Sequence, residues 1–235
     1  MTSEMARRAG QAVLLWVAVG GSILLWWPGA LSLLALWAVV VLGVLANALQ
    51  PSYRLRDVVQ DPDDRGTFRH ILLTVYGTQA AALVELVLRR PARLPFDALA
   101  WGALVMMAAG LGLRTWAIAT LGGWFTLQVD VKPAQRLVQE GPYRLMRHPS
   151  YAGALLAFAA SAVLLHAWVA AILGSMALYW AFRRRIAHEE RVLAAGLPGY
   201  AAYMTRTGAL GPRLGPVWWL VALLILAGAG LAVVA

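Results

Sequence analysis

The sequence contains no cysteine. A disulfide, a thiolate nucleophile and a cysteine-based metal site are therefore excluded, and we expect no metal centre. Charged residues are also scarce: 13% of the 235 residues are Asp, Glu, Lys or Arg, against about 25% in an ordinary soluble domain. Hydrophobic residues make up 61% of the chain, and its mean hydropathy is +0.67. This composition predicts an integral membrane protein.

Acidic residues are the scarcer charge, 11 against 20 Lys and Arg, which gives a formal net charge of +9. A strongly basic chain can indicate nucleic-acid binding, but here the basic residues lie at the ends of apolar runs. That distribution is typical of the cytoplasmic loops of membrane proteins. We therefore expect contacts with membrane lipids and no nucleic-acid partner.

Apolar segments of about the 20 residues that a bilayer requires recur along the chain. They predict an all-α, polytopic transmembrane helical bundle of about seven spans that forms a single membrane domain. Residues 1–49 would form an N-terminal hairpin, 50–69 a polar cytoplasmic linker, and 70–235 a core with an extra C-terminal helix. The predicted spans are 11–27, 30–49, 70–88, 96–121, 149–165, 167–182 and 216–235, with a helix leaving the membrane over 186–195.

The positions of Lys and Arg predict the orientation. If the N-terminus is cytoplasmic, all basic residues except Arg89, Arg90 and Arg93 lie on the cytoplasmic side, as the positive-inside rule requires. Glu85 stands one helical turn before Arg89 and is expected to pair with it. This orientation places the polar segments after the fourth and sixth spans on the same, cytoplasmic face.

One polar loop is rich in residues that bind ligands. Residues 141–153 have the sequence Gly-Pro-Tyr-Arg-Leu-Met-Arg-His-Pro-Ser-Tyr-Ala-Gly. Each proline disfavours helix at the residue before it, so we predict an ordered loop that ends where an apolar helix begins at the second proline. Its aromatic and basic side chains would lie at a helix N-terminus, which favours an anionic group. These side chains are Tyr143, Arg147, His148 and Tyr151. The alternative is a basic, aromatic loop at the membrane interface that binds no ligand.

Two blocks of sequence resemble the isoprenylcysteine carboxyl methyltransferases and the related phospholipid methyltransferases. The first is Leu-Val-Gln-Glu-Gly-Pro-Tyr-Arg over 137–144, continued by Arg-His-Pro-Ser-Tyr-Ala-Gly over 147–153. The second is Glu-Glu-Arg-Val-Leu over 189–193, followed by Leu-Pro-Gly-Tyr-Ala-Ala-Tyr over 197–203. One helical hairpin separates the blocks, as in that family, and the resemblance covers about residues 120–213.

The resemblance implies methyl transfer from S-adenosylmethionine to a lipophilic acceptor at the membrane–cytoplasm interface. The acceptor would be a lipophilic small molecule or a lipidated substrate, and its methylated group could be a carboxylate, an amine or a thiol. The cofactor pocket would lie in cytoplasmic-side loops and helix ends, and the two sequence blocks would cover it. Matched by position, its cofactor-binding residues would be Leu137, Val138, Gly141, Tyr143, Arg147, His148, Tyr151, Glu189 and Glu190.

The same matching implies residues that act near the acceptor. Arg206 and Glu190 would be catalytic, and Arg144, Tyr203 and Arg206 would bind the substrate. Two other classes of function stay open from the residues themselves. One is an NADPH-dependent membrane reductase of the sterol-reductase type, and the other is a non-catalytic membrane scaffold or transporter. The sequence gives no prediction of the oligomeric state.

The two adjacent carboxylates are not expected to be equivalent, since neighbouring helical residues point about 100° apart. Arg185 stands one turn before Glu189 and can neutralise it, whereas Ile186, one turn before Glu190, offers no charge. We therefore predict that Glu190 contacts the ribose or the amino group of the cofactor, and that Glu189 is largely structural.

Overall fold

The computed structural model of the protein describes residues 27, 29, 32–49, 64–89, 91 and 96–212. The predicted first span up to residue 26, linker residues 50–63 and the predicted last span, 216–235, lie outside the described residues.

Six α-helices and no β-strand are found in the described ranges. The helices are α1 (Leu34–Leu49), α2 (Thr67–Arg89), α3 (Ala98–Leu121), α4 (Pro149–Leu164), α5 (Ser175–Gly196) and α6 (Tyr200–Arg206). Short 3-10 helices cover Gly122–Trp124 and Gly141–Arg144, and a π-helical turn, Ala170–Gly174, leads directly into α5. The predicted all-helical fold class is confirmed for this part of the chain.

Two of the described helices, α2 and α3, are long and apolar enough to cross a membrane by length and composition. α1 and α4 are apolar but shorter. The total of seven spans thus stays a prediction. The sequence placed a break between a span ending at Phe182 and a helix beginning at Ile186, but α5 runs through this point without interruption. The three arginines between them do not end the helix, because arginine is a good helix former.

The backbones of α3 and α4 approach each other closely. A Cβ atom built on Gly153 would lie 2.5 Å from the backbone oxygen of Gly110, and one built on Gly110 would lie 2.6 Å from the oxygen of Gly153. Small residues at such a crossing let helix backbones pack closely, which is how apolar helices associate in a membrane. The contact fixes the first turns of α4 and therefore the loop that precedes them.

The predicted pair of Glu85 and Arg89 is confirmed. Glu85 also accepts a hydrogen bond from the backbone N–H of Ala170 (3.2 Å), and Arg89 donates one to the carbonyl of His166 (2.6 Å). The pair therefore holds the turn between α4 and α5, in which His166 has a φ of +52°.

Candidate active site

The loop before α4 is held by the residues that follow α6. The backbone N–H groups of Arg147 and His148 donate to the carbonyls of Gly208 and Ala209, each over 2.9 Å. The helix begins at Pro149, as predicted, with His148 as its N-cap residue. The end of the loop is thus fixed by backbone hydrogen bonds and by the start of α4, which make the loop an ordered element.

Tyr203 provides a further anchor for this loop. Its hydroxyl donates to the carbonyl of Tyr143 over 2.6 Å and lies 3.3 Å from that of Met146. Only 2% of Tyr203 is exposed. The predicted role of Tyr203 in substrate binding stays a prediction, but its hydroxyl already binds the loop.

Arg147, His148 and Glu190 form one hydrogen-bonded cluster. Arg147 Nε donates to Glu190 Oε1 over 2.7 Å, and His148 Nε2 lies 3.1 Å from the same oxygen. Arg147 Nη1 also donates to the carbonyls of Met204 (3.2 Å) and Thr207. The cluster joins the loop to α5 and α6, so it brings the two sequence blocks together as the resemblance implies.

Glu189 belongs to the same site but has different partners. The hydroxyl of Tyr151 donates to Glu189 Oε2 over 2.8 Å, and His148 Nδ1 lies 4.0 Å from Glu189 Oε1. The ring of Tyr151 stacks on that of His148, with centroids 5.6 Å apart, and its centroid is 5.1 Å from that of Phe182. Tyr151 therefore connects the carboxylates with the apolar side chains below them.

Arg185 and Glu190 have partners other than those predicted from local spacing. Arg185, expected beside Glu189, is 2% exposed and forms its salt bridge with Asp64 at the start of α2. It also donates to Thr67 Oγ1 over 2.9 Å. Glu190, expected to lack a charged partner, is the carboxylate that Arg147 binds. Both errors arise because i, i+4 spacing reveals local neighbours and not those brought close by folding.

The surroundings of Glu190 stabilise its ionised form. Burial raises the pKa of this carboxyl, but the hydrogen bonds from His148 and Arg147, with the positive charge of Arg147, outweigh burial, so that the pKa lies below its ordinary value of 4.5. Glu190 is therefore ionised at neutral pH, and it keeps a negative charge in a half-buried site.

Tyr200 is not among the residues predicted for the site. Its hydroxyl is buried and has no hydrogen-bond partner within the described ranges. Burial, followed by the negative charges of Glu189 and Glu190, raises the pKa of this phenol far above its ordinary value of 10.0. A neutral hydroxyl within electrostatic reach of both carboxylates is a group that a bound ligand can satisfy. The second sequence block, which contains Tyr200 and Tyr203 in the pattern Tyr-x-x-Tyr, is the feature of the sequence that could have indicated this residue.

The other predicted residues are less closely gathered. Leu137 packs with Tyr200 and Tyr203, and Gly141 has the positive φ, +53°, that its turn requires. Three further predicted residues are more open to solvent. Val138 is partly buried, and Arg144 and Arg206 are exposed. In the part of the chain that the structure describes, neither Arg144 nor Arg206 forms a salt bridge, and the predicted catalytic role of Arg206 stays a prediction.

An apolar cavity of about 490 Å³ adjoins the site. It lies between α1, α2, α3 and α4, and Tyr151, Phe182, Arg185 and Arg114 line it at the end near the carboxylates. Arg114 donates to Ser150 Oγ over 2.8 Å. The lining extends along α2 from Phe68 to Leu83, a separation of about 22 Å at 1.5 Å per helical residue. These dimensions suit an extended hydrocarbon chain.

The described part of the chain is thus a helical protein in which a cluster of carboxylates and tyrosines adjoins an apolar cavity. Residues 103–195 match the model of the Isoprenylcysteine carboxyl methyltransferase (ICMT) family. The resemblance predicted from the two sequence blocks is therefore confirmed, and the chain is ICMT-like over this region.

Individual relatives are similar to less than half of the chain. Protein-S-isoprenylcysteine O-methyltransferase B of Arabidopsis thaliana is 37% identical over 92 residues, which are 38% of this chain and 47% of that protein. Cobalt-zinc-cadmium resistance protein CzcN of Cupriavidus metallidurans is 32% identical over 105 residues, or 44% of this chain and 49% of that protein. The chain thus spans about half the length of these curated relatives. Within the described ranges, no group of three or more His, Cys, Asp or Glu could hold a metal ion.

Proposed function

We propose that this protein transfers a methyl group from S-adenosylmethionine to a lipophilic acceptor at the membrane–cytoplasm interface. The observation that carries the proposal is the position of Tyr151. Its hydroxyl binds Glu189 in the polar site, while the residue lines the apolar cavity. A cofactor beside the carboxylates and a lipid chain in the cavity would therefore meet at this residue.

The residues of the polar site fit the proposed cofactor. S-adenosylmethionine presents a cationic sulfonium, an ammonium, a carboxylate and a ribose diol, and when bound it supplies the methyl group. The carboxylates of Glu189 and Glu190 suit the ammonium or the diol, and the aromatic ring of Tyr151 suits a cation. The buried hydroxyl of Tyr200 supplies a donor that lacks a partner among the described residues.

The chain contributes to such a reaction mainly by positioning. Glu190 holds Arg147 and His148, and this cluster fixes the loop before α4, the helix that carries Tyr151. Methyl transfer by direct displacement requires no covalent intermediate with the protein, so a nucleophilic cysteine is not needed. Holding donor and acceptor at near-attack distance would supply much of the rate acceleration.

The cavity favours a carboxylate among the three acceptor groups considered. Arg114 lines its polar end, and a guanidinium group attracts a carboxylate and repels an ammonium. Arg185 lines the same end, but its charge is paired with Asp64. A lipid tail in the cavity would place an acceptor carboxylate near Tyr151. The isoprenylcysteine methyltransferases named among the relatives suggest a prenylated cysteine as the first acceptor to test.

The proposed function includes a multi-pass arrangement with the N-terminus and the site on the cytoplasmic side. Residues 70–235 would be the methyltransferase core of a single membrane domain, in contact with membrane lipids. Reporter fusions near Arg90 and at Ala235 should both report the far side of the membrane. A cytoplasmic signal at Ala235 would show that the number of spans is wrong.

A transfer assay tests the proposal. Purified full-length protein is incubated with S-adenosylmethionine labelled in its methyl group and with a prenylated cysteine, its methyl ester or a long-chain amine. We expect label on the prenylated cysteine alone, released by mild base because the product is an ester. Base-stable label on the amine would contradict the carboxylate assignment, and no label on any lipophilic acceptor would contradict methyl transfer.

A further inference from the structure

A second cavity, of about 920 Å³, lies between α2 and α5. It shares no lining residue with the cavity at Tyr151. Its walls are one stripe of α2 and a facing stripe formed by the π-helical turn and α5. We call this cavity the α2–α5 groove. It is separate from the proposed active site, and nothing in the methyl-transfer proposal uses it.

Most of the α2–α5 groove is apolar and shallow. Its exposed walls include Leu73 and Leu173, which are 69% and 62% exposed. Small residues also line the groove, among them Gly77, Ala81 and Gly174. The two walls meet closely at Gly174, where an added Cβ atom would lie 2.2 Å from Thr78 Cγ2. Bulky exposed walls beside small side chains form a channel that suits a hydrocarbon chain.

One end of the groove is strongly basic. Its lining there consists of Arg65, Arg69, His70 and Arg184. Arg184 Nη1 lies 3.2 Å from His70 Nδ1, so the two helices present their basic groups at the same point. At the same end, the salt bridge between Asp64 and Arg185 joins the start of α2 to α5. Glu190 follows Arg185 on α5, so the Arg147–Glu190 cluster lies toward this end of the molecule as well. At the opposite end the charge of Glu85 is paired with Arg89.

We propose that the α2–α5 groove binds an anionic phospholipid of the surrounding bilayer. The phosphate would bind Arg69 and Arg184, since guanidinium groups donate paired hydrogen bonds to phosphate oxygens. An acyl chain would lie along α2 beyond Leu73. Charge complementarity selects this occupant: a zwitterionic lipid would bring a cation to the basic end together with its phosphate, and a soluble anion would leave the apolar walls exposed.

Native mass spectrometry of the full chain in detergent tests the site, with phosphatidylglycerol and phosphatidylcholine as the two probes. We expect tighter binding of phosphatidylglycerol. The double variant Arg69→Gln/Arg184→Gln should lower that affinity roughly 10- to 30-fold, since each basic residue near an anionic lipid contributes about fivefold. Arg183→Gln is the matched control, because Arg183 is exposed, adjacent in sequence and outside the groove. It should retain nearly full affinity.

The apolar part is tested with Ala81→Trp, which fills the groove without altering its charge, and should weaken binding as well. Equal losses in Arg183→Gln and the double variant would overturn the proposal, because they would indicate general surface attraction. So would equal affinity for the two lipids, or complete competition by inorganic phosphate. A last contrary outcome concerns residues 50–63 of this chain. If selectivity appears only after Asp57, Asp61 and Asp63 are changed to Asn, that segment and not a lipid occupies the basic end.

Discussion

Arg147 and Glu190 form a salt bridge of 2.7 Å although 43 positions separate them in the sequence. Their side chains are only 10% and 14% exposed. The bridge joins the loop before α4 to the second half of α5, and it is one of the contacts by which the two sequence blocks form one site.

Exchanging the two carboxylates separately should distinguish their roles. Glu190→Gln leaves the nearly buried Arg147 without its ion pair, and is expected to lower the free energy of unfolding by about 1.5–3 kcal/mol. Glu189→Gln should change stability less, since an amide oxygen can still accept from Tyr151. Denaturant unfolding in detergent measures both effects. Equal losses would contradict the structural role assigned to Glu190.

Cofactor affinity should show the opposite order. Glu189 is the more exposed carboxylate, 28% against 14%, and its charge is not bound by an arginine among the salt bridges of the described residues. We therefore expect Glu189→Gln to weaken binding of S-adenosylhomocysteine roughly 10-fold or more. This reverses the order predicted from sequence. A loss confined to Glu190→Gln, after correction for unfolded protein, would restore the earlier prediction.

The stability of the Arg147–Glu190 bridge should depend on pH in one direction. The pKa of Glu190 is lower in the folded protein than its ordinary value of 4.5. Ionised Glu190 therefore stabilises the fold above about pH 4.5, and this contribution is lost as the pH falls through the folded pKa. The difference in melting temperature between wild type and Glu190→Gln should be constant from about pH 8 to pH 5 and shrink below. A difference that grows on acidification would contradict this.

Local rules predicted the parts of the structure that neighbours in sequence determine. Pro149 begins α4 because proline fits the first helical turn, and Glu85 binds Arg89 because they are one turn apart. Family-like blocks predicted that His148, Tyr151 and the two glutamates lie together. Spacing could not reveal that Arg185 binds Asp64, or that Arg147 binds Glu190, since the fold alone brings those partners together.

Tyr200 and Tyr203 provide a matched pair of hydroxyl deletions. Tyr203→Phe removes the donor to the carbonyl of Tyr143, so it should lower the free energy of unfolding by about 0.5–1.5 kcal/mol. Tyr200→Phe removes a hydroxyl that has no partner within the described residues, and should leave stability unchanged while weakening S-adenosylhomocysteine binding roughly 2- to 10-fold. Thermal unfolding and binding titrations measure the two effects. Unchanged affinity in Tyr200→Phe would remove Tyr200 from the site.

The crossing of α3 and α4 predicts a contrast between two glycines. Gly153→Ala places a methyl group against the backbone of Gly110, and should destabilise the protein by about 1–3 kcal/mol through overpacking. Gly112→Ala is the control, because a Cβ atom there meets nothing within 4 Å. Alanine also favours helix over glycine, so this variant should be as stable as wild type or more so. Similar losses in both variants, measured by thermal unfolding, would contradict the close crossing.

The most direct measurement is an equilibrium titration of the purified full chain with S-adenosylhomocysteine, with NADPH titrated in parallel. A methyltransferase with its cofactor site at Glu189, His148 and Tyr200 predicts saturable binding of S-adenosylhomocysteine, weakened at least several-fold in His148→Ala, and no saturable binding of NADPH. Saturable NADPH binding without S-adenosylhomocysteine binding would contradict the methyltransferase assignment and favour a membrane reductase.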